Sequence, residues 1–224
     1  MQPVKRAFLV LFLALIPSLA RASFVQGGIY SPGGSTSSIT CSPNDGSGSV
    51  TAGNLIVMGV KINGSSITGI SSVRVTTWVN EHTGTAGDVS YWYGIATSSG
   101  VETITVSVAA SQIYAAVCGE WSSTTSLNVF NSSSATTDSV TTTVAVTQLI
   151  VVVGGDNTTS LTNFTLRESA ILHTTPNGLI LLGDLSESST GTYTSTASAG
   201  AAAQCLGAFY TPVTISSRHR IIEQ

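Results

Sequence analysis

Charged side chains are scarce in this sequence, and their scarcity excludes one large class of partner. Lysine and arginine number 8, and aspartate and glutamate 11, so charged residues are 8% of the 224 positions, against about 25% in ordinary soluble domains. The basic residues are scattered, whereas nucleic-acid binders cluster them to displace counterions. We therefore expect no nucleic-acid partner. Serine, threonine, asparagine and glycine supply the polarity, as is typical of strands and turns.

Catalytic and metal-binding motifs are missing as well. The chain has no GxSxG, HExxH or GxxxxGK[ST] motif, and His82, His173 and His219 lie in loop-like or terminal stretches. A Ser-His-Asp site stays open because such triads form in space, but the sequence names no catalytic residue. The pairs Asn44-Asp45 and Asp156-Asn157 fit turns better than calcium loops. We expect no metal and no cofactor.

The N-terminus has the pattern of a cleavable export signal. Lys5-Arg6 precedes an apolar run over residues 7–16, and small residues stand at Ala20 and Ala22. This pattern predicts a signal-peptide helix that is cut between Ala22 and Ser23. The run is shorter than the roughly 20 residues that span a membrane, and no later apolar run reaches that length. We predict a secreted, extracellular protein without a membrane span in its mature chain. Loss of the signal would leave five basic against eleven acidic residues.

Three cysteines, Cys41, Cys118 and Cys205, follow the predicted signal. Exported proteins meet an oxidising environment, so one disulfide with one odd thiol is one interpretation. Cys118 and Cys205, which both lie in apolar strand-like runs, are the candidate pair. The other interpretation is that all three are small buried core residues.

Short apolar or alternating runs, separated by turn residues, recur every 10 to 20 positions. This spacing predicts an all-β sandwich or barrel. The predicted strands are Phe24–Tyr30, Ser37–Cys41, Leu55–Ile62, Val73–Val79, Val89–Thr97, Thr103–Val108, Tyr114–Trp121, Ser139–Val146, Leu149–Gly154, Phe164–Glu168, Leu179–Leu185, Gly191–Ala197 and Ala202–Tyr210.

Two kinds of strand are visible in these runs. Residues 55–60 and 149–153 are apolar on both sides, which predicts central strands covered on both faces. Residues such as 103–108 alternate, which predicts a sheet with one face in the core. We expect a two-sheet antiparallel β-sandwich. The predicted organisation is a signal peptide over 1–22, a single sandwich domain over 23–213 and a tail over 214–224.

Six segments carry a resemblance to a known group of proteins: Thr51–Val57, Tyr91–Gly94, Val101–Val106, Ser139–Thr143, Asn163–Glu168 and Gly191–Thr196. In this order, the chain resembles uncharacterised bacterial secreted and phage-structural β-sandwich domains of jelly-roll or immunoglobulin-like type. The resemblance covers most of the predicted mature chain. It implies a jelly-roll-like fold and export, and it adds no catalytic residue.

One cluster predicts a binding surface. Trp78 lies opposite the valines of its predicted strand, and Trp92 alternates with apolar neighbours. If Val79 pairs with Val89, Trp78 and Trp92 become diagonal neighbours, roughly 7 to 8 Å apart. Two adjacent indoles would form a stacking platform for a sugar ring, with Arg74 and Thr76 at its rim. The alternative is that this face is covered and both indoles belong to the core.

These observations favour a secreted non-enzymatic binding or structural module. Its expected partners are a glycan or a surface protein, with adhesion or carbohydrate binding as candidate roles, and exposed edge strands would also permit self-association. The alternative is a secreted polysaccharide-acting hydrolase, which needs two carboxylates about 5 to 10 Å apart. Glu120, the one acid inside its strand, is the candidate for the first of these. The sequence leaves enzyme activity undecided.

Overall fold

The computed structural model describes residues 22–31, 35–43, 48–64, 66–84, 88–112, 114–122, 126–146, 148–173, 178–198 and 200–212. The predicted signal peptide before Ala22 and the tail over 214–224 lie outside these residues. Within them the protein is all-β, and its paired strands run antiparallel. The all-β prediction is therefore confirmed.

The first half of the chain contributes ten strands: β1 (Phe24–Tyr30), β2 (Thr36–Cys41), β3 (Ser49–Val50), β4 (Leu55–Ile62), β5 (Ile67–Ser72), β6 (Trp78–His82), β7 (Val89–Ile95), β8 (Gly100–Val101), β9 (Ile104–Gln112) and β10 (Tyr114–Trp121). They form a five-stranded sheet, β1-β10-β4-β7-β6, and a three-stranded sheet, β2-β9-β5. The short strands β3 and β8 pair with each other.

The second half contributes eight strands: β11 (Ser126–Ser133), β12 (Thr137–Thr141), β13 (Gln148–Asp156), β14 (Leu161–Thr162), β15 (Thr165–Leu172), β16 (Gly178–Leu185), β17 (Thr192–Ala197) and β18 (Ala201–Tyr210). Its sheets have the orders β11-β18-β13-β16-β15 and β12-β17-β14. If the β3–β8 pair is set aside, both halves share one strand order. The large sheet runs first-eighth-third-sixth-fifth, and the small sheet runs second-seventh-fourth.

The four main sheets pack as successive layers. One core lies between the small and large sheets of the first half, and another lies between those of the second half. A third, central core lies between the two large sheets. The continuous apolar strands β4 and β13 are buried on both faces because each contributes to two of these cores. The prediction of covered central strands is confirmed for both.

The prediction of one two-sheet sandwich is corrected by this stack. Both faces of each large sheet are apolar, so each large sheet packs against a small sheet on one side and against its counterpart on the other. The result is antiparallel sheets packed against each other in two sandwich-like halves. The prediction of a single domain over 23–213 stays a prediction, because a shared central core is compatible with one or two folding units.

The irregularities of the two halves also match. The bulge in β1 lies opposite Trp121, and the bulge in β11 lies opposite Phe209. When the two halves are aligned so that Trp121 matches Phe209, the bulge at Glu81 in β6 and the bulge at Arg167 in β15 fall at equivalent positions. Bulges are specific features of a strand pair. Two independent matches therefore fix a residue-by-residue equivalence between the halves.

The equivalent residues Trp121 and Phe209 each end a Gly-x-aromatic sequence. Gly119 stands two positions before Trp121, and Gly207 two before Phe209, so each glycine shares a strand face with its ring. A Cβ added at Gly119 would lie 2.7 Å from the Trp121 ring, and one added at Gly207 would lie 2.8 Å from the Phe209 ring. Each glycine lets the following ring lie against its own strand. Both rings thereby enter the central core.

Candidate functional site

Neither indole of the predicted platform is a freely exposed surface ring. Trp92 is 4% exposed and belongs to the core between the sheets of the first half. Trp78 is half-buried, packs against the same core, and has a buried Nε1 without a hydrogen-bond partner. The two rings therefore contribute to packing, as the covered-face alternative expected.

The predicted strand register is wrong, which explains part of this difference. Val79 pairs with Tyr93, and Trp78 pairs with Gly94, so the pairing is shifted by four residues from the expected Val79–Val89 pair. Strand β6 begins at Trp78 and not at Val73. The cause is the buried carboxylate of Glu102, which accepts hydrogen bonds from the backbone N–H groups of Val73 and Arg74 and holds them in a turn.

Arg74 belongs to this turn and Thr76 follows it, and the two residues differ in their surroundings. The Arg74 guanidinium donates to the Ser98 hydroxyl and to the Val101 carbonyl, both at 3.3 Å. The Arg74 carbonyl accepts from Thr97, through both its backbone N–H and its hydroxyl. Arg74 therefore connects its own turn to residues 97–101 through hydrogen bonds. Thr76, in contrast, is exposed and lines a groove.

This groove, called here the β6 groove, lies along the edge of the first large sheet and has a volume of about 350 Å³. It is lined by Thr76, Thr77, Val79, Tyr93, Gly94, Ile95 and Thr97. No charged side chain belongs to this lining. Such a surface offers hydroxyls, apolar groups and one aromatic ring, and its volume is in the range of small-molecule sites.

Tyr93 is the aromatic residue of the β6 groove. Its half-buried ring meets the Phe209 ring edge-on, with 5.3 Å between centroids, so the second half holds it in place. Burial raises the pKa of the Tyr93 hydroxyl, and the nearby Glu81 carboxylate raises it further. The hydroxyl is therefore protonated at neutral pH and can both donate and accept a hydrogen bond.

Three valines of the first half are exposed, and one of them lines the groove. Val79, on its wall, is 37% exposed, and Val73 and Val101, on the two sides of Arg74, are 64% and 50% exposed. Exposed apolar side chains are ordinary when they are scattered. Val79 lies in the edge strand β6 and Val73 before it, whereas Val101 lies in β8, and only Val79 lines the groove.

A second, smaller pocket of about 180 Å³ lies between the halves. It is lined by His82, Asp88 and Ser132–Ser134. The His82 Nε2 lies 3.1 Å from Asp88 Oδ2, so the carboxylate orients the ring. Among the described residues, no serine hydroxyl is within hydrogen-bond distance of the His82 ring. The acid and base of a triad are present, but the link to a nucleophile is not made.

The buried carboxylate of Glu120 is occupied by structural hydrogen bonds. Glu120 Oε1 accepts from the Thr51 N–H at 2.8 Å and from the Asn54 amide at 2.6 Å, and its Oε2 accepts from the Gln26 amide at 2.5 Å. Through these hydrogen bonds, Glu120 joins β1 and the turn before β4 to its own strand, β10. A fully buried carboxylate with three such donors stabilises the fold and does not face a cleft.

The disulfide joins Cys41 to Cys118, and Cys205 is a buried free thiol. The expected Cys118–Cys205 pair is therefore wrong. Cys118 faces the core of the first half, where β2 brings Cys41 beside it, whereas Cys205 faces the central core. Burial raises the pKa of the Cys205 thiol, which keeps it protonated and unreactive.

Three further observations concern export and metals. Ala22 is buried, and the Ser23 N–H donates to the Ser122 hydroxyl; cleavage between the two residues stays a prediction. Across the described ranges, no helix is long and apolar enough to cross a membrane.

In the same ranges, no three His, Cys, Asp or Glu side chains are grouped to hold a metal ion. Asp156 instead accepts from Thr158 in a turn.

Comparisons with protein-family models, with curated proteins and with solved structures found no significant match.

Sequence reasoning missed Tyr93 as a site residue. Its alternation with Trp92 was visible, but the pattern does not say which face is covered more completely. The signal that could have identified it is the pair of Gly-x-aromatic ends, Gly119–Trp121 and Gly207–Phe209. These indicate two copies of one module, and hence a large sheet with both faces packed.

Proposed function

We propose that the protein is an exported, non-enzymatic binding module that holds a carbohydrate in the β6 groove. The observation that carries the proposal is the lining of this groove: three threonines, Tyr93, two apolar side chains and a glycine. Sugars present C–H faces that pack on aromatic rings and hydroxyls that exchange hydrogen bonds with hydroxyls. The site retains Thr76 from the predicted set and replaces the indole pair with Tyr93.

Export is supported by the disulfide. The Cys41–Cys118 bond is consistent with an extracellular protein, because disulfides persist in oxidising compartments. The N-terminal pattern of charged, apolar and small residues supports the same assignment. We also propose that each half is a jelly roll, since eight strands divided in this order between two sheets fit that fold. A surface protein as partner and self-association through edge strands remain proposals of lower rank.

The hydrolase alternative has less support. Its candidate acid, Glu120, has both oxygens occupied by donors from β1 and from the turn before β4. Glu102 is engaged in the same way by backbone N–H groups. Either carboxylate would have to break these hydrogen bonds before it could transfer a proton.

The test is binding of the disulfide-bonded protein to a panel of soluble polysaccharides by affinity electrophoresis. We expect retardation by at least one polysaccharide, and we expect Tyr93→Ala to weaken it about tenfold or more. Tyr193→Ala, which removes a half-buried tyrosine from the outer sheet of the second half, is the matched control.

Tyr93 packs on Phe209, so its loss could disturb the fold. Thr77→Trp is therefore a second variant, which fills the groove with a bulky ring and leaves Tyr93 in place. Near-ultraviolet circular dichroism checks folding of each variant. The proposal fails if no polysaccharide retards the protein, or if folded Thr77→Trp binds as well as the unaltered protein.

A further inference from the structure

The equivalence between the halves identifies a counterpart of the β6 groove. Glu81 is equivalent to Arg167, Tyr93 to Asp184, Phe209 to Trp121 and Leu127 to Phe24, because the bulges and strand pairs align these positions. The large sheets pack with β1 beside β15. The protein thus has two equivalent corners, one containing Tyr93 and one containing Asp184.

In the corner that contains Asp184, a cation occupies the space. The Arg167 guanidinium lies over the Phe24 ring at 5.0 Å, and its Nε donates to Asp184 Oδ1 at 2.7 Å. Trp121 Nε1 donates to the other carboxylate oxygen at 2.8 Å. We call this the filled corner: an aromatic face and a carboxylate hold a planar cation between the halves.

In the other corner, called here the open corner, no cation is supplied by the described residues. Glu81 stands where Arg167 stands in the filled corner, and Leu127 stands where Phe24 does. The Glu81 carboxylate is half-buried and has no hydrogen-bond or ion-pair partner in the described part of the chain. A partly desolvated carboxylate without a partner is unfavourable, and it attracts a cation.

Glu81 lies on the same face as the groove. Val79 and Tyr93 are paired and point towards the central core, and the bulge turns Glu81 to that side as well. Burial raises the pKa of the Tyr91 and Tyr93 hydroxyls, and the Glu81 carboxylate raises the pKa of both further. Glu81 follows the groove-lining Val79 by two positions in β6, so a carboxylate without a described partner adjoins the uncharged walls of the β6 groove.

We propose that the β6 groove selects a carbohydrate with a free amino group, whose ammonium binds Glu81 beside Tyr93. This inference rests on the proposed function, since it names the class of sugar that the same groove takes. The uncharged walls suit the sugar rings. The carboxylate suits the ammonium, and in the filled corner the equivalent region holds the Arg167 guanidinium between Asp184 and Phe24. The acidic net charge of the chain, −3, adds weak attraction at low salt.

The experiment compares three oligosaccharides of equal length: a glucosamine oligomer, its N-acetylated form and a glucose oligomer. Affinities are measured by calorimetry below the pKa of the sugar amine. We expect the free amine to bind about tenfold more tightly than the other two, because one charge-assisted bond is gained. Added salt should reduce this advantage.

Glu81→Gln is the decisive variant, and Glu187→Gln, which removes an acid from a loop of the second half, is its control. We expect Glu81→Gln to bring the free amine to the affinity of the acetylated oligomer, and Glu187→Gln to change nothing. Val79→Arg should place a guanidinium beside Glu81, imitate Arg167 and abolish binding of all three oligomers.

The outcomes separate the two proposals. Equal binding of all three oligomers that is insensitive to Glu81→Gln overturns the amino-sugar inference and leaves the carbohydrate proposal intact. An equal loss in Glu81→Gln and Glu187→Gln overturns it too, because overall charge would then explain the preference. If none of the oligomers binds, and no polysaccharide does either, both proposals fail.

Discussion

The filled corner and the open corner occupy equivalent places in the two halves, yet they differ in chemistry. In the filled corner, Trp121, Arg167 and Asp184 satisfy one another's charges and donors. In the open corner, Tyr93 and Phe209 meet edge to face and Glu81 has no described partner. One backbone arrangement therefore supports either an internal ion pair or an open groove.

The difference shows that equivalent positions of two similar halves can have different roles in packing. The filled corner contributes hydrogen bonds across the central core, so it holds the halves together. The open corner contributes packing through Phe209 and Tyr93 and contains the half-buried carboxylate of Glu81.

The largest expected effect comes from Trp121→Ala in the filled corner. Loss of the buried ring should cost about 4 kcal/mol, and Asp184 would lose a donor. The equivalent Phe209→Ala removes a ring of the open corner without leaving a charge unpaired, so its cost should be lower by about 1–3 kcal/mol. Guanidinium unfolding of both variants measures the difference. Equal losses would mean that Asp184 adds nothing to the filled corner.

The disulfide is the next largest effect, and it belongs to the first half. Replacement of Cys41 and Cys118 together by alanine opens a link across 77 positions. The unfolded chain then gains conformational freedom, which should cost about 4 kcal/mol. Cys205→Ala, which removes a buried thiol from the central core, should cost about 1 kcal/mol. Equal midpoints of urea unfolding for the double and the single variant would contradict this ranking.

A smaller effect is expected at the two bulges. Arg167→Ala removes the hydrogen bond to Asp184 and the stacking on Phe24, and the side chain is 31% exposed. We expect a loss of about 2 kcal/mol. The matched change, Glu81→Ala, removes a carboxylate without a described partner, so stability should change by less than about 0.5 kcal/mol. A comparable loss in both variants would show that the corners are not different in this respect.

The smallest effect is a pH dependence in the second half. Burial raises the pKa of Asp138. Hydrogen bonds from Ser139 and Asn131 lower this pKa by less, so the net shift is upward. Its stabilising contribution is therefore complete below the pKa of an unfolded aspartate and is lost as pH rises through the folded value. Asp138→Asn should flatten this part of the curve and raise stability at neutral pH by about 1 kcal/mol or less.

Asp156→Asn is the control with the opposite sign. Hydrogen bonds from Thr158 lower the pKa of Asp156, so its contribution is present above the unfolded pKa and is lost as pH falls through the folded value. Unfolding midpoints across an acidic pH series measure both variants. The same pH slope in both would contradict the assignment.

Much of the strand pattern was predictable. The bounds of β1, β4 and β10 were predicted without error, and β4 and β10 are mainly apolar runs that are buried throughout. Strands β5 and β11 were missed. Both are rich in serine, glycine or asparagine, and they are strands because their neighbours β9 and β18 supply hydrogen-bond partners. The pattern of apolar and polar side chains within a strand does not indicate such pairing.

The candidate site was less predictable than the strands. Thr76 was placed at a binding surface, and it lines the β6 groove. The indoles were misplaced because the start of β6 depends on Glu102, which lies 29 positions from the Val73 N–H that it binds. The disulfide was mispaired for a similar reason, since the face of each cysteine depends on which sheet covers it.

The sequence by itself determined that the described chain is all-β and which strands are apolar on both faces. Local periodicity and turn residues suffice for this, because each strand records its own burial. The tertiary structure alone decided the strand register at β6, the partner of Cys118 and the difference between the two corners. These depend on contacts between residues far apart in the chain, and such contacts exist only once the sheets are stacked.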